Sequence, residues 1–301
     1  MKKTILSAIL AFVISNTIAA SIAYANHHES SHSHTMQHPE SSALQQVLDS
    51  QEDAVKARYQ YRHPKETLEF FGIKPGMAVA DVLPGGKGWY SKILVSYLGE
   101  HGHVLGVDYS IEMWPLFGSS DEAIEKRKSW ASTWLEGAQA WRGDAGSTIA
   151  ATTFGSFDES LNNSLDAVII VRAMHHLSRF EDKGGFQTSA LEDIFTALKA
   201  GGIVGVVQHQ AYEDRPDDWA TGNNGYIKKS NVIAAFEKAG FKLVADSDLN
   251  ANPKDQAGEG EKVWRLPPSL DGADEDPELK KAMQEIGESN RMTLKFQKPV
   301  A

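Results

Sequence analysis

The 301-residue chain contains no cysteine, and it has fewer basic than acidic residues. Without cysteine it can form no disulfide, so its stability has to come from a full hydrophobic core. Its 30 lysines and arginines stand against 40 aspartates and glutamates, which gives a net charge of −10. Such a surface repels nucleic-acid phosphates, and no basic patch interleaved with aromatic residues is present. We therefore expect no nucleic-acid partner.

Long hydrophobic runs are also missing, except at the amino terminus. Lys2 and Lys3 precede a largely apolar stretch over residues 5–22, and Ala23-Tyr24-Ala25 follows as a small-x-small cleavage site. This order is typical of a secretory signal peptide over residues 1–25 that is cleaved after its last alanine. The mature chain would lose two lysines, carry a net charge of −12 and contain no membrane span. We expect it in the periplasm or secreted from a bacterial cell.

Residues 26–42 are polar, rich in serine and poor in side chains that could be buried. We expect them to form a disordered tether. Five of the eleven histidines of the chain lie in this segment, and two interpretations of them stay open. They could bind metal weakly, because imidazole is a common metal ligand, or they could belong to a solvated linker. These histidines are His27, His28, His32, His34 and His38.

The most informative segment combines an acidic strand end with a glycine-rich turn. An apolar run over residues 77–82 contains Asp81, and Pro84-Gly85-Gly86-Lys87-Gly88 follows before a segment with helical character. A second apolar run ends in Asp108. Glycines let the backbone approach a ligand, and an acid at the end of the next strand can bind ribose hydroxyls. The segment is therefore typical of a nucleotide-type cofactor site at the first strand-turn-helix of a doubly wound sheet.

The rest of the sequence alternates strand-like and helix-like segments without an internal repeat. Residues 165–171 and 203–207 are nearly continuous apolar runs, as expected for parallel strands that are covered on both faces. Residues 43–61 predict a helix, and a capping box at Ser189 predicts the start of another. The rhythm predicts an α/β fold with a parallel sheet between layers of helices. An irregular insertion with one short helix near residues 277–286 is expected over about residues 250–290.

Residues 121–135 also predict a helix, and it contains two tryptophans four residues apart. Trp130 and Trp134 therefore lie on one helix face. Such a pair belongs to a hydrophobic core more often than to a cofactor site, so we expect it in the core.

Polar side chains follow two of the predicted strands at their carboxyl ends. Arg172 and His175 come soon after the first apolar run, with His176 beside them, and His209 follows the second run. Because the carboxyl ends of neighbouring parallel strands meet in one crevice, we expect these side chains to line one edge of the sheet. Histidine can act as a base near neutral pH or bind a metal. In the alternative interpretation, His175 only anchors a loop.

From about Ala43 onward, the chain resembles the class I S-adenosylmethionine-dependent methyltransferases. More narrowly, it is similar to a bacterial family of exported predicted methyltransferases. Several separate motifs occur in the order of that family. They are Pro84-Gly85-Gly86 through Trp89-Tyr90, Asp166-Ala167-Val168 leading to Arg172 and His175, Gly205-Val206-Val207 leading to His209, Ala239-Gly240-Phe241-Lys242-Leu243-Val244 through Ser247-Asp248-Leu249 and Asn252-Pro253, and Lys295-Phe296-Gln297-Lys298-Pro299.

The resemblance implies a Rossmann-like domain over residues 43–301. Its sheet would have seven strands in the order 3-2-1-4-5-7-6, with the last strand antiparallel. The implied cofactor is S-adenosyl-L-methionine: Asp81 and the turn would cradle its methionine part, Asp108 would bind its ribose, and Asp144, after the third strand, would face its adenine. Leu83 stands where the family has glycine. The turn residues implied to bind the cofactor are Pro84, Gly85, Gly86 and Gly88.

The resemblance further implies an enzyme that transfers a methyl group to a small-molecule acceptor. His175, His209 and Arg172 would lie on the acceptor side, with His175 as the base. A second interpretation stays open, because S-adenosylmethionine is made inside cells: an exported protein with this fold could bind a small ligand or metal without methyl transfer. A nicotinamide-dependent oxidoreductase is disfavoured because no Tyr-x-x-x-Lys pair follows the glycine-rich turn, where Tyr226 has Ser230 in place of the lysine. A hydrolase is disfavoured because no Gly-x-Ser-x-Gly elbow is present.

Overall fold

The computed structural model of the chain describes residues 39–300. The predicted signal peptide and the histidine-rich segment up to residue 38 lie outside this range, so export, the tether and its metal binding stay predictions. None of the helices within the described range is long and apolar enough to cross a membrane. These helices are α1 Pro39–Asp49, α2 Asp53–Lys56, α3 Tyr59–Arg62, α4 Pro64–Phe71, α5 Trp89–Leu98, α6 Asp121–Lys128, α7 Trp130–Ala138, α8 Met174–Arg179, α9 Glu181–Gly184, α10 Phe186–Ala197, α11 Lys229–Lys238 and α12 Pro277–Ile286.

A mostly parallel sheet forms the centre of the fold. Residues 39–300 contain eight strands: β1 Ala78–Val82, β2 His103–Asp108, β3 Thr148–Thr153, β4 Leu165–Val171, β5 Leu198–Ala211, β6 Ile227–Lys228, β7 Lys242–Ser247 and β8 Arg291–Gln297. The sheet runs β3-β2-β1-β4-β5-β8-β7, and β8 is antiparallel to both of its neighbours. The two-residue strand β6 pairs with the end of β5. Apart from β6, this is the predicted strand order, so the predicted fold is confirmed.

Both faces of the sheet are covered, and the central strands are apolar for that reason. Alternate residues of β1 point to opposite faces. Val79 belongs to one hydrophobic cluster together with Leu94 of α5, whereas Ala80 belongs to another together with Leu191 of α10. Trp130 and Trp134 form a third cluster, as predicted, and their rings are stacked with centroids 5.6 Å apart.

The helix predicted over residues 43–61 is divided into α1, α2 and α3, and α1 begins within the segment predicted as tether. α1 packs Leu44 and Leu48 into the core. α3 instead carries Arg62, which is ion-paired with Glu288. The division lets one segment supply the core and the next supply a buried charge. Hydrophobic periodicity in the sequence predicts only the segment that packs into the core, not the segment that carries the buried charge.

The helix predicted to begin at Ser189 begins earlier, at Phe186. The carboxylate of Glu181 accepts hydrogen bonds from the backbone N–H groups of Gln187 at 2.8 Å and Thr188 at 3.1 Å. A side chain outside the helix therefore satisfies its free N–H groups. The start predicted from the capping box is wrong for this reason.

Strand β5 is longer than the predicted run over residues 203–207. It pairs with β4 on one side and with β8 on the other, and its end also pairs with β6. His209, which was predicted to follow the strand, lies inside it, opposite Arg291 of β8. The additional pairing extends β5 beyond the apolar run and positions His209 at the carboxyl edge of the sheet.

Candidate functional site at the carboxyl edge of the sheet

A cavity of about 210 Å³ opens at the carboxyl ends of β4 and β5. Arg172, His175 and His209, the three residues predicted for the acceptor side, all line it. The insertion supplies much of the remaining wall. The volume lies below the roughly 300–1,000 Å³ of most small-molecule sites, which indicates a small ligand. The other lining residues are Leu83, Val171, His176, Val263, Trp264, Leu266, Pro267, Pro268, Ser269, Glu288 and Ser289.

Two residues beside this cavity have left-handed backbone conformations that are unusual for side-chain-bearing residues. Leu83 follows β1 with φ of 56°, and Arg172 follows β4 with φ of 58°. The backbone N–H of each donates to a neighbouring strand, to Val107 and Val207 respectively, at 2.7 Å. Such residues cost about 1–3 kcal/mol each and are concentrated at functional sites. Both strained residues line the cavity, so the backbone strain and the cavity indicate the same region of the sheet edge.

Gln208 fixes the proton on the His175 ring. Its side-chain amide donates to the backbone carbonyls of His209 at 3.3 Å and Gly225 at 3.0 Å, so its oxygen faces His175. That oxygen lies 3.3 Å from both the backbone nitrogen and Nδ1 of His175. An imidazole with its proton on Nδ1 presents a lone pair on Nε2. The buried Nε2 has no hydrogen-bond partner among residues 39–300, so the site contains an unsatisfied acceptor.

The His176 ring is oriented in the same way by a buried tyrosine. The hydroxyl of Tyr109 donates to the Ala173 carbonyl at 2.8 Å, so it accepts a hydrogen bond from Nδ1 of His176 at 3.2 Å. The centroids of the His175 and His176 rings are 4.0 Å apart. Both rings therefore offer acceptor nitrogens close to one another.

Burial keeps these imidazoles neutral. It is the main cause that lowers the pKa of His175 and of His209 well below the usual value, and it lowers the pKa of His176 to about 4. The three rings are therefore neutral at neutral pH, and each has one nitrogen that can accept a hydrogen bond. Within residues 39–300, however, no group of three or more His, Cys, Asp or Glu side chains is arranged to hold a metal ion.

Glu288 lies among four arginines beside the cavity, and we call this set the arginine cluster. Arg58 and Arg62 contact its Oε1 atom, and Arg291 contacts Oε2 at 2.9 Å. Although burial opposes the effect, these cations hold the pKa of Glu288 below its usual value, with Arg291 contributing most. The side chains of Arg291 and Glu288 are only 3% and 2% exposed. Their pairing is therefore that of a buried charge network.

Arg172 is the fourth arginine of the cluster, and the charge of Glu288 acts on it without direct contact. Its side chain forms no hydrogen bond or ion pair within residues 39–300, and its Nε atom is buried. Burial, and then the charge of Arg62, lower its pKa to about 9, which leaves it protonated at neutral pH. Arg172 lines both the cavity and a small cleft beside the glycine-rich turn. An unpaired cation therefore faces the site.

The cleft beside the turn is formed partly by Asp81 and Pro84 and measures about 40 Å³. Asp81 accepts a hydrogen bond from the Ser91 hydroxyl at 2.6 Å, and burial raises its pKa to about 7. The structure thus places Asp81 where it was predicted, next to the turn. The cleft is much smaller than the roughly 300 Å³ that a drug-sized ligand needs.

Asp108, predicted to bind ribose, is paired with Arg127 of α6. Arg127 donates from Nη2 to Oδ1 of Asp108 at 2.9 Å, and its Nε lies 2.7 Å from Oδ2. The guanidinium also lies 3.7 Å from the ring centroid of Trp114. Burial raises the pKa of Asp108 to about 6 despite the arginine. One carboxylate oxygen therefore accepts a hydrogen bond from Arg127, and the other is ion-paired with it without hydrogen-bond geometry.

Two tryptophans cover the glycine-rich turn. Trp134 donates from Nε1 to the Gly85 carbonyl at 3.1 Å, and a β-carbon on Gly88 would overlap the Trp141 ring. Gly86, by contrast, has open space beside it. Gly88 therefore lies against a tryptophan ring at the turn where the cofactor was predicted to approach.

Asp144 does not lie at the site. It was predicted to follow the third strand, but β3 begins at Thr148, so Asp144 precedes that strand and is exposed. The error has a physical cause, because β3 reads Thr-Ile-Ala-Ala-Thr-Thr and lacks the strong apolar signal of the central strands. The residue that follows β3 at its carboxyl end is the buried Phe154.

No protein-family model matches the chain. A curated relative, the sterol 24-C-methyltransferase erg6 of Aspergillus fumigatus, is 31% identical over 104 residues. That match covers 31% of this chain and 26% of the relative, so the chain spans about a quarter of the relative's length.

Solved structures with similar folds include the [4+2]-cyclase SpnF, with a TM-score of 0.47 and 16% identity over 80% of this chain and 81% of that chain. A SAM-dependent methyltransferase from Aquifex aeolicus has a TM-score of 0.46 and 12% identity over 86% and 98% of the two chains. An arsenic(III) S-adenosylmethionine methyltransferase from Chlamydomonas reinhardtii has a TM-score of 0.42 and 16% identity over 85% and 73%. The assignment of the fold rests on the strand order of this chain, which is that of the class I S-adenosylmethionine-dependent methyltransferase fold.

Replacing Glu288 by glutamine should destabilise the fold. Glu288→Gln removes the counter-charge of the arginine cluster, and an uncompensated buried charge costs roughly 3–5 kcal/mol. We expect the free energy of unfolding, measured by urea denaturation, to fall by about that amount. Glu122→Gln, which breaks an exposed pair with Lys126 on α6, is the matched control and should change it little. Equal effects of the two variants would contradict the structural role of Glu288.

Acid should destabilise the fold through the buried imidazoles. Because the pKa of His175 in the folded state lies below its ordinary value of 6.5, the unfolded chain binds more protons below that pH. The free energy of unfolding should therefore fall between about pH 7 and about pH 5, by on the order of 1 kcal/mol per buried histidine. Urea denaturation across this range measures the slope. His175→Gln should flatten it, whereas the same substitution at the exposed His101 should not, and identical slopes would refute a buried neutral ring.

Proposed function

We propose that the chain is an exported S-adenosylmethionine-dependent methyltransferase that acts on a small-molecule acceptor. One observation carries the proposal: the acid-glycine turn at the end of β1 lies beside the imidazole-lined cavity at the ends of β4 and β5. Leu83, Val171 and Arg172 line both the cavity and the cleft at the turn. This is the edge at which open α/β sheets bind their ligands. The partial match to a sterol methyltransferase also supports methyl transfer.

The turn and its two acids are the groups that would hold the cofactor. Asp81 would contact its methionine part, and Asp108 would bind its ribose once Arg127 has moved away. When bound, the cofactor supplies an electrophilic methyl group. His175 would accept the proton of the acceptor through Nε2, because Gln208 holds its other ring nitrogen. A histidine with a lowered pKa is a weak base, so it suits an acidic hydroxyl such as that of a phenol.

Export is part of the proposal and is supported by the basic start, the apolar run and the small-x-small site of residues 1–25. The direct test is cell fractionation followed by amino-terminal sequencing of the recovered protein. A mature chain that begins at Asn26 in the periplasm or medium would support export. A full-length chain in the cytoplasm would contradict it and would remove the question of how the cofactor is supplied.

A second candidate function is ligand binding in the cavity without methyl transfer. The pair between Arg127 and Asp108 favours it, because a charge-assisted hydrogen bond and a 2.7 Å ion pair occupy the predicted ribose site. Trp134 on the Gly85 carbonyl favours it too. The two candidates differ in one measurable property, which is the affinity for S-adenosylmethionine once Arg127 no longer competes.

Arg127→Gln separates the two candidates. If Arg127 competes with ribose, the variant should bind S-adenosylmethionine at least about tenfold more tightly, since a charge-assisted hydrogen bond contributes about 1.5–3 kcal/mol. Isothermal titration calorimetry is run at about pH 8 and above, because burial raises the pKa of Asp108 to about 6 and the loss of Arg127, which lowers that pKa, raises it further. Lys128→Gln, which changes an exposed charge on the same helix, is the matched control.

Adding Asp108→Asn to Arg127→Gln should remove the gain in affinity. If neither the unmodified chain nor the folded Arg127→Gln variant binds S-adenosylmethionine, the methyltransferase proposal is wrong and the second candidate remains. Circular dichroism confirms the folded state of each variant.

A further inference from the structure

We propose that the cavity at the ends of β4 and β5 binds a small organic acid that also carries a hydroxyl group. Arg172 binds the carboxylate of this ligand, and the Nε2 atom of His175 accepts a hydrogen bond from its hydroxyl. If the ligand is the methyl acceptor, the inference rests on the proposed function for that identification. Binding itself does not, because it needs no cofactor.

The charge balance of the arginine cluster calls for an anion. The cluster contains four guanidinium groups and one carboxylate, and Glu288 contacts Arg58, Arg62 and Arg291 but not Arg172. A buried charge is costly unless it is paired. Asp81, the acid in the neighbouring cleft, accepts its hydrogen bond from Ser91 and forms no ion pair with Arg172, and burial raises its pKa to about 7. A carboxylate placed against Arg172 would supply one further negative charge and would pair the arginine that Glu288 does not contact.

A carboxylate suits this place better than a phosphate does. The planar guanidinium forms two parallel hydrogen bonds with a carboxylate, and one cation balances its single charge. Arg172 is the cationic side chain among the described residues that line the cavity. A phosphate dianion would lack a second cation there and would face the lone pairs of His175 and His176, whose protons are held on Nδ1.

His175 provides a hydrogen-bond acceptor, whereas Arg172 provides donors. The Nε2 atom of His175 has no hydrogen-bond partner within residues 39–300, and the residue is only 3% exposed, so this atom would accept a hydrogen bond from a ligand donor. The remaining wall is mixed: the Trp264 ring is stacked with that of His176 at 6.5 Å and 13°, and Leu83 and Val263 are apolar. Glu288 and Ser289 also line it, and the Glu288 carboxylate is already paired with three arginines. The cavity therefore fits a small planar skeleton with a carboxylate and a hydroxyl.

Hydroxybenzoates test this combination directly. The full chain, without cofactor, is titrated with 3-hydroxybenzoate and 4-hydroxybenzoate, with benzoate, and with the uncharged hydroxybenzamides, using calorimetry or ligand-observed NMR. We expect at least one hydroxybenzoate to bind at least about tenfold more tightly than its amide, since the bond to Arg172 is charge-assisted. The hydroxyl should add a smaller gain over benzoate. In His175→Leu that gain should disappear while benzoate affinity stays.

Arg172→Gln should weaken hydroxybenzoate binding at least about tenfold and should not lower the melting temperature, because it removes an unpaired cation. Arg179→Gln is the matched control, since Arg179 lies on α8 near His176 but does not line the cavity. If Arg172→Gln fails to fold, Arg172→Lys serves instead: it keeps the charge but not the fork, and it should lose part of the preference for carboxylate over amide.

Three results would overturn the proposal. The first is equal affinity for hydroxybenzoates and hydroxybenzamides, or no binding of either. The second is binding of inorganic phosphate in place of the carboxylates, which would assign a different anion to Arg172. The third is a loss of S-adenosylmethionine affinity in Arg172→Gln while hydroxybenzoates do not bind, which would assign Arg172 to the cofactor's own carboxylate. Failure of cofactor binding alone would contradict only the proposed function.

Discussion

The buried carboxylate of Glu288 holds together parts of the chain that are far apart in sequence. It contacts Arg58 and Arg62 of the amino-terminal helices and Arg291 at the start of β8. Removing charges from water is costly, so this arrangement persists only because several cations share the same carboxylate. Because Glu288 also lines the cavity, the wall that the insertion contributes is fixed relative to the sheet edge.

A second buried acid fixes the insertion at another point. Asp255 accepts hydrogen bonds from the Tyr226 hydroxyl, at 2.9 Å to its nearer oxygen, and from the backbone N–H of Asn290 at 2.9 Å. It is also ion-paired with Arg265 at 2.9 Å. Arg265 lies two residues before Pro267, which is joined to Pro268 by a cis peptide bond, and both prolines line the cavity. The part of the insertion before α12 therefore has defined positions with little regular secondary structure, because buried polar groups have to find partners.

The sequence predicts the sheet better than it predicts the site. Parallel strands buried on both faces leave strong apolar runs, and their carboxyl ends meet at one edge, so Arg172, His175 and His209 were brought together correctly. The wall around Trp264 was missed because its segment has no periodicity. Arg127 was missed for a different reason: α6 has no buried residue and looks like a solvated charged helix. Only the three-dimensional arrangement shows that this arginine reaches Asp108.

The cavity at the ends of β4 and β5 and the region of the glycine-rich turn differ in how much rearrangement ligand binding would require. On the acceptor side, the cavity is open, the tautomer of His175 is set by Gln208, and an unpaired cation is in place, so binding there requires little rearrangement. On the cofactor side, the contact between Arg127 and Asp108 has to be replaced first. We therefore expect a ligand of the cavity to bind to a preorganised site. A nucleotide-type cofactor would first have to break the contact between Arg127 and Asp108, and the free energy of that step would be subtracted from its binding free energy. Under the proposed function, this asymmetry makes the contact between Arg127 and Asp108, more than the residues of the glycine-rich turn, the feature that controls cofactor binding.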